Sequence, residues 1–417
     1  MMVQNRLETV CVIGLGYIGL PTAAVLAQAG KRVIGVDVQK SVVESVNAGQ
    51  IPFLEEGLET VVAGAVARGR LSAQTTVAEA DAYIVSVPTP FKEGHSADLG
   101  YVEAAARTLA PMLRGGELVV LESTAPPGTT EHMAEVILQE RPDLTAEPGL
   151  PISLYFSHAP ERVLPGRIMI EMVDNNRILG GTTTEASQLT RDLYESFCRG
   201  ELLLTDARTA EMAKLSENAF RDVNIAFANE LSLIADQLDI DVWELIELAN
   251  HHPRVNILQP GPGVGGHCIA VDPWFIVDAA PSASKLISTA RKVNDSKPEA
   301  VLRKTLDVAE RFKAPRIAAL GIAFKANIDD LRQSPSREIV SRLADSLEDG
   351  TVMVVEPNID QLPEELAGRD DVLLAEMDEA VDKADVVLLL VDHAPFRSVD
   401  PERLKTKIVI DTKGLWR

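Results

Sequence analysis

The chain has little to offer several whole classes of function. It carries three cysteines, Cys11, Cys198 and Cys268, in 417 residues. That is too few, and too scattered, for a disulfide framework or a cysteine-based zinc site. Positive charge is scarce as well. Forty Lys and Arg stand against 62 Asp and Glu, a net charge of −22. A nucleic-acid binder needs a basic face, and attachment to anionic lipid needs the same, so neither partner is expected. The N-terminal residues show no signal-peptide pattern. The apolar stretch from Val10 to Ala29 approaches membrane-spanning length, but Gly14, Gly16, Gly19 and Pro21 interrupt it. A soluble protein in a reducing, cytoplasmic compartment is the expectation. No metal cluster and no short-period repeat are apparent.

What is present is hydrophobic material, 46% of the residues, enough for two or three domains. Short β-branched runs alternate with helical patterns in the first 120 residues. Thr9–Ile13, Arg32–Val36, Ala82–Val87 and Leu118–Leu121 read as strands, and Ile18–Ala29 and Val102–Leu113 as helices. Such alternation predicts a parallel sheet covered on both faces. From Thr205 to about Asn250 glycine and proline almost vanish. Arg208–Asp236 reads there as one long helix, with Asp206 as its N-cap and Glu211 favoured in its early turns by the helix dipole. Alternation then resumes. Arg316–Leu320, Thr351–Val355, Asp385–Val391 and Lys407–Ile410 read as strands, with helices near Ser336–Leu347 and Asp378–Lys383. The fold class is therefore α/β, with a helical middle between two α/β domains.

Gly14-Leu15-Gly16-Tyr17-Ile18-Gly19 follows the first strand and opens the first helix. Gly14 permits a tight turn, Gly16 lets backbone approach a pyrophosphate, and Gly19 allows close helix–strand packing. Asp37 stands 18 residues after Gly19, at the end of the second strand. A carboxylate there accepts bonds from ribose hydroxyls and repels a 2′-phosphate, which favours NAD over NADP.

The most unusual stretch is Pro260-Gly261-Pro262-Gly263-Val264-Gly265-Gly266-His267-Cys268, with four glycines in nine residues. Its backbone must turn sharply and admit close approach. A thiol held among backbone N–H groups has a lowered pKa and a ready oxyanion site. Cys268 is thus the candidate nucleophile, while Cys11 and Cys198 lack such a setting and read as packing. Adjacent loop residues point apart, so a His267–Cys268 dyad is not expected. Glu211, Lys214, Asn218 and Arg221 share one face of the long helix. Such a stripe ordinarily marks a solvated face. Here Leu215, Ala219, Phe220, Val223 and Phe227 spread apolar groups over the rest, so burial on most sides, with the stripe in a cleft, is the expectation. Lys214 could then serve as a cation or proton shuttle.

These segments resemble the UDP-glucose/GDP-mannose dehydrogenase family over essentially the whole chain. The motifs are Gly14–Pro21 (GLGYIGLP), Val87–Pro90 (VPTP), Glu122–Thr130 (ESTAPPGTT), Pro160–Gly166 (PERVLPG), Thr209–Asn218 (TAEMAKLSEN), Gly261–Pro273 (GPGVGGHCIAVDP), Gly321–Pro335 (GIAFKANIDDLRQSP) and Asp411–Arg417 (DTKGLWR). The resemblance implies an N-terminal Rossmann NAD-binding domain (1–204), a central helical domain (205–300) and a C-terminal Rossmann-like UDP-binding domain (301–417). It implies oxidation of the C6 hydroxymethyl of a nucleotide sugar to a carboxylate with two NAD, through a thiohemiacetal and a thioester on Cys268.

Residue by residue, the resemblance makes Lys214 the proton-transfer and alkoxide-stabilising lysine and Asn218 its oxyanion partner. Asp272 matches the acid four residues after the cysteine, and Thr124 and Glu161 the pair associated with water activation. Cofactor contacts carry over to Gly14, Gly16, Tyr17, Ile18, Gly19, Asp37, Thr89, Thr130 and Arg332. Substrate contacts carry over to Arg162, Val163, Lys214, Asn218 and Arg221, to His252 and Arg254 (which can reach a neighbouring subunit), and to Gly265, Phe324, Lys325 and Lys413. A homodimer through the long helix is implied; His252 read from its own context alone is a surface histidine.

One departure is Pro165, where UDP-glucose dehydrogenases carry a second glutamate. The PERVLPG form resembles the branch acting on 2-acetamido sugars, which implies a UDP-N-acetylhexosamine substrate. UDP-N-acetyl-D-mannosamine is expected, with UDP-N-acetylglucosamine as the alternative. A two-electron β-hydroxyacid dehydrogenase would have no use for the cysteine loop or the third domain. A non-catalytic NAD-binding regulator would not need Cys268, Lys214 and Asn218 together. The basic candidates Arg162, Lys214, Arg221, Arg254, Lys325, Arg332 and Lys413 reconcile an anionic ligand with the acidic sum, since charges beyond a Debye length of about 8 Å are screened.

Overall fold

A computed structural model describes residues 7–417 apart from positions 54, 93, 165 and 267. Pro165 and His267, singled out in the sequence, therefore lie outside the described residues. The chain divides into two compact units between Ser216 and Glu217.

The first unit is built on strands β1 (Thr9–Ile13), β2 (Arg32–Val36), β3 (Leu71–Gln74), β4 (Ala82–Val85), β5 (Leu118–Leu121), β6 (Tyr155–His158), β7 (Arg177–Gly181) and β8 (Leu202–Asp206). They form one sheet in the order β3-β2-β1-β4-β5-β6-β7-β8. Along β1, Val10 and Val12 enter one core, with Leu20, Ala23 and Ile84. Cys11 and Ile13 enter the other, with Tyr83, Val85 and Phe156. Both faces of a parallel strand are covered, so its sequence runs continuously apolar. Burial pushes the Cys11 thiol up to about 11, and Cys198 is also buried, as packing residues should be.

Three expectations need correction. The sheet is not wholly parallel, since β6 and β7 pair antiparallel, Ser157 opposite Gly181 and His158 opposite Gly180. The helix read as Val102–Leu113 spans Gly100–Leu109 and then tightens into a 3₁₀ turn over Ala110–Met112. Pro111, which has no N–H for the α-helical ladder, explains the change. The strand read to Val87 stops at Val85; the Val87 N–H turns instead to Ser123 Oγ at 2.9 Å.

The long helix runs from Ala207 to Leu238. Asp206 caps it through Thr209 N at 2.9 Å and Thr209 Oγ1 at 2.6 Å, satisfying one of the orphan N–H groups. Its surface is less buried than expected. Leu215 and Ala219 are inside, but Phe220 is 73% and Phe227 52% exposed. With Ile234 and Leu238, also exposed, they recur at seven, seven and four residues along one face.

The second unit holds the rest of this helix and a second sheet. Its strands are β9 (Arg316–Leu320), β10 (Thr351–Val355), β11 (Val372–Leu374), β12 (Val386–Leu389) and β13 (Ile408–Asp411). They are all parallel, in the order β11-β10-β9-β12-β13. The helix Lys285–Ala309 precedes β9 and lends Val301, Leu302 and Ala309 to the core of this sheet. The architecture is the expected one: α/β, a long-helix middle, α/β.

Candidate active site

In the first unit the strand order reverses between β1 and β4, and dinucleotides bind at the carboxyl ends of strands at such a switch point. Gly14 adopts φ +92°, and a Cβ there would lie 2.1 Å from the Ser86 carbonyl oxygen. Its N–H donates to Val36 O at 2.8 Å, closing the turn. At Gly19 a Cβ would sit 1.9 Å from Gly14 O, so helix and strand touch there. Gly16 differs: a Cβ would meet nothing within 4 Å. The fold does not require this glycine, whereas a pyrophosphate lying on the backbone would. The helix Gly19–Gln28 has no side-chain cap and no acid in its first turn, leaving its N–H groups to an anion. Ile18 occupies its N-cap position, and the exposed Tyr17 ring stacks on Phe53 at 4.2 Å.

Asp37, half-buried at the end of β2, accepts Leu15 N at 3.0 Å and Gln39 N at 2.9 Å. These bonds orient a carboxylate that still reaches solvent. Thr89 Oγ1 donates to Thr124 O at 2.6 Å, tying the VPTP and ESTAPPG loops together. Thr130 is fully buried, and its N–H and hydroxyl both donate to Glu211 Oε1, at 2.8 and 2.6 Å. Glu211 also takes Gly128 N at 2.6 Å. It therefore serves as the N-terminal cap of another helix, Thr129–Glu140, not as a member of a cleft-facing stripe on its own. Lys214, one turn on, is 9% exposed.

Glu161 is buried beside Arg177, whose guanidinium lies 2.8 Å from Oε2, while Oε1 accepts Arg162 N at 2.7 Å. Arg162 reaches Asn176 O through its guanidinium; it and Val163 are half-buried. Sequence reasoning missed what lies behind them. Glu122, wholly buried at the end of β5, accepts Thr22 Oγ1 at 2.9 Å and the Tyr194 hydroxyl at 3.0 Å. Burial, reinforced by the charge of Glu161, pushes its carboxyl well above the usual range. The available signal was a pair of charged residues, Glu122 and Arg177, abutting or inside apolar strands.

In the second unit the glycine loop ends on Cys268. Its thiol-bearing residue is exposed, and its carbonyl accepts Val271 N at 3.1 Å and Asp272 N at 2.9 Å, starting the helix Asp272–Ala279. Asp272 is buried, and Asn218 Nδ2 donates to its Oδ2 at 2.5 Å. Gly265 and Gly266 pack on Phe324: a Cβ on either would stand 3.0 Å from that side chain, and Gly266 has φ +87°. Lys413 approaches Gly261 and pairs with Asp392 at 3.5 Å. The structure thus brings Asn218, Cys268, Asp272, Gly265 and Phe324 together, and Lys413 to the root of the loop. Lys325 and Arg221 are exposed. Arg332 is exposed and pairs with Asp330 at 2.6 Å. His252 and Arg254 stand on an exposed segment after the helix Val242–Asn250, the Arg254 N–H donating to His252 Nδ1 at 3.3 Å. Among the described residues no cluster suited to a metal ion occurs, and no helix is long and apolar enough to cross a membrane.

Three profiles of one family match in succession: the NAD binding domain over residues 8–198, the central domain over 208–296 and the UDP binding domain over 318–417. The chain is 55% identical over 411 residues to an NDP-N-acetyl-D-galactosaminuronic acid dehydrogenase of Ralstonia nicotianae, covering 98% of this chain and 96% of that protein. It is 52% identical to the UDP-N-acetyl-D-mannosamine dehydrogenase of Escherichia coli, covering 98% and 99%. A solved UDP-D-ManNAc dehydrogenase from Pyrococcus horikoshii superposes with a TM-score of 0.87 at 37% identity, covering 98% and 96%. NAD is the cofactor, as the match to the NAD binding domain shows, and the chain belongs to the UDP-glucose/GDP-mannose dehydrogenase family.

Proposed function

We propose that this NAD-dependent nucleotide-sugar dehydrogenase oxidises C6 of a UDP-N-acetylhexosamine, UDP-N-acetyl-D-mannosamine first among them, to the uronate in two steps. The observation that carries the reading is the exposed Cys268 at the end of a glycine loop, with the Asn218–Asp272 pair fixed beside it. NAD, when bound, accepts a hydride in each of the two oxidations. Lys214 takes the C6 hydroxyl proton in the first. The Cys268 thiolate then adds to the aldehyde, forming a C–S bond, and the alkoxide takes up a proton with help from Lys214 and Asn218. Loss of that proton and a second hydride leaves a thioester. Water, activated near Thr124 and Glu161, adds to it; the C–S bond breaks, and carboxylate and thiolate are released. Asp272 positions Asn218. Ribose and pyrophosphate of the cofactor would lie on Asp37 and Gly16, with Tyr17, Ile18, Thr89, Thr130 and Arg332 around them. The UDP-sugar would be held by Arg162, Val163, Arg221, Gly265, Phe324, Lys325 and Lys413.

The division into domains 1–204, 205–300 and 301–417 is part of this reading, with the helix Lys285–Ala309 running through the second boundary. So is a homodimer in the cytoplasm. The exposed stripe Phe220, Phe227, Ile234 and Leu238 supports pairing through the long helix, and His252 and Arg254 would then serve the partner's site. A second reading, the galacto epimer, is favoured by the 55% identity to the Ralstonia protein. Incubation with NAD and the manno, galacto and gluco UDP-N-acetylhexosamines separately decides. Uronate from the manno sugar alone is the expected result; uronate from the galacto sugar alone gives the second reading, and no uronate from any of them refutes both.

A further inference from the structure

Beneath the glycine loop lies a buried polar chain that the reaction as described does not use. The Gly261 N–H, itself buried, donates to Asn229 Oδ1 at 2.9 Å. Asn229 Nδ2 donates to Asn294 Oδ1 at 2.8 Å, and Asn294 Nδ2 donates to Asp222 Oδ1 at 2.7 Å. Arg291 closes the chain on the same oxygen at 2.5 Å. Asp222, Asn229, Arg291 and Asn294 are each no more than 1% exposed.

The direction of this chain is fixed by its ends. A backbone N–H can only donate and a carboxylate can only accept, so both amides between them have a single workable orientation. Asn229 also stands eleven residues after Asn218, just over three full turns at 3.6 residues per turn, which returns it to the same helix face. Asn218 holds Asp272, just past the thiol, and Asn229 holds Gly261, at the loop's beginning. One face of one helix therefore pins both ends of the segment that carries Cys268.

We propose that Asn229, oriented through Asn294 by the Asp222–Arg291 pair, is a positioning residue for the Cys268 loop, setting where the thiol stands without touching the substrate. The inference rests on the reading of Cys268 as the nucleophile. Displacing a reacting group by about 1 Å can cost about a hundredfold in rate, so an unpinned loop root should show in kcat.

The test compares three variants with the wild-type enzyme. Asn229→Ala removes the acceptor of the Gly261 N–H. Asn294→Asp keeps the shape but sets a carboxylate against Asp222. Asp222→Asn keeps both shape and direction, because its amide oxygen can still accept from Asn294 and Arg291, and Arg291 keeps Asp295 as its counter-charge. The first two should lose about tenfold or more in kcat, with KM for NAD changed less than about threefold, and Asp222→Asn should stay within about threefold of wild type in kcat. Iodoacetamide labelling of the native protein, mapped by peptide mass, reports Cys268 specifically, since Cys11 and Cys198 are buried. Its rate–pH profile should shift in the first two variants only.

Folded Asn229→Ala and Asn294→Asp proteins with wild-type kcat and labelling profile would overturn the proposal, as would equal losses in Asn294→Asp and Asp222→Asn. Should the first two variants fail to fold, wild-type hydrogen exchange decides. In Pro260-Gly261-Pro262-Gly263 only the two glycines carry amide protons; a slow Gly261 amide supports the proposal and one exchanging at open-loop rates refutes it. Cys268→Ser separates the two readings. If it still performs both oxidations, the nucleophile assignment has failed. If it is inactive while Asn229→Ala and Asn294→Asp are normal, only the positioning role has.

Discussion

The two sheets of this protein open in the same way and then put the same turn to different uses. β1 and β9 are each followed by a glycine of positive φ, Gly14 at +92° and Gly321 at +88°. Each glycine donates its N–H at 2.8 Å to the last residue of the neighbouring strand, Val36 O in one sheet and Val355 O in the other. An acid comes next in both. Asp37 accepts Leu15 N, and Glu356 accepts Ile322 N at 2.8 Å and Ala323 N at 3.1 Å. There the likeness stops. Asp37 keeps one side toward solvent, whereas Glu356 is buried and His393 Nε2 lies 3.1 Å from its Oε2. His393 Nδ1 accepts Asn327 N at 2.9 Å, so Nε2 carries the proton and donates to Glu356. The acid that stays open to solvent in the first sheet is spent, in the second, on holding its own loop, the one bearing Phe324 and Lys325. A shared strand order therefore does not imply a shared ligand.

Substitutions at matched positions test this comparison, beginning with the glycines. A Cβ at Gly14 would strike Ser86 O at 2.1 Å and one at Gly321 would strike Val391 Cβ at 2.4 Å. Gly14→Ala and Gly321→Ala should each destabilise their own unit by about 3 kcal/mol or more in denaturant melts. A silent Gly321→Ala would break the parallel at its first point. Next, His393→Ala removes one donor from a buried carboxylate that keeps the Ile322 and Ala323 N–H groups, and should cost about 2 kcal/mol, with NAD affinity unchanged.

The pH response should separate the units by sign. Burial raises Glu122 from an ordinary value of 4.5. Its contribution is complete below that value and is lost as pH rises through the elevated folded value. Burial would raise Glu356 as well, but the His393 bond and two backbone N–H groups outweigh it and hold the carboxyl below the ordinary range. Its contribution is present above the unfolded value and is lost as pH falls. Glu122→Gln should thus flatten the stability loss between pH 5 and 8 by about 2 kcal/mol while leaving the acid limb intact; an unchanged alkaline slope would contradict the assignment.

The smallest effects on stability belong to Gly16 and Asp37. Gly16→Ala should change stability by less than about 0.5 kcal/mol, and Asp37→Asn, which keeps only one of two acceptor oxygens, should cost about 1 kcal/mol, while each weakens NAD binding about tenfold, measured by titration calorimetry. A large stability loss at Gly16 would show that the fold, not the ligand, requires that glycine.

Much of this was legible in the sequence where local rules govern. β1, β2, β5, β9 and β10 have the bounds read from the sequence, because a strand covered on both faces is apolar behind its first residue. The glycine turn and the Asp206 cap are equally local. What escaped depends on partners distant in sequence. Glu211 fitted a helix-dipole rule, yet its real task is to cap a helix 81 residues away. Glu122 with Tyr194, and Asn229 with Asn294, are buried pairs that no spacing announces. Phe220 and Phe227 looked like core and are exposed, since hydrophobicity alone does not say whether the covering surface is the same chain or another.

The central claim, that Cys268 holds the sugar between two oxidations, is tested most directly by counting NADH formed per UDP-N-acetyl-D-mannosamine consumed, in the wild-type enzyme and in Cys268→Ser. The account predicts two NADH per sugar with uronate as product for the wild type, and no uronate from the variant although NAD still binds. One NADH per sugar in the wild type, or two in the variant, would contradict it.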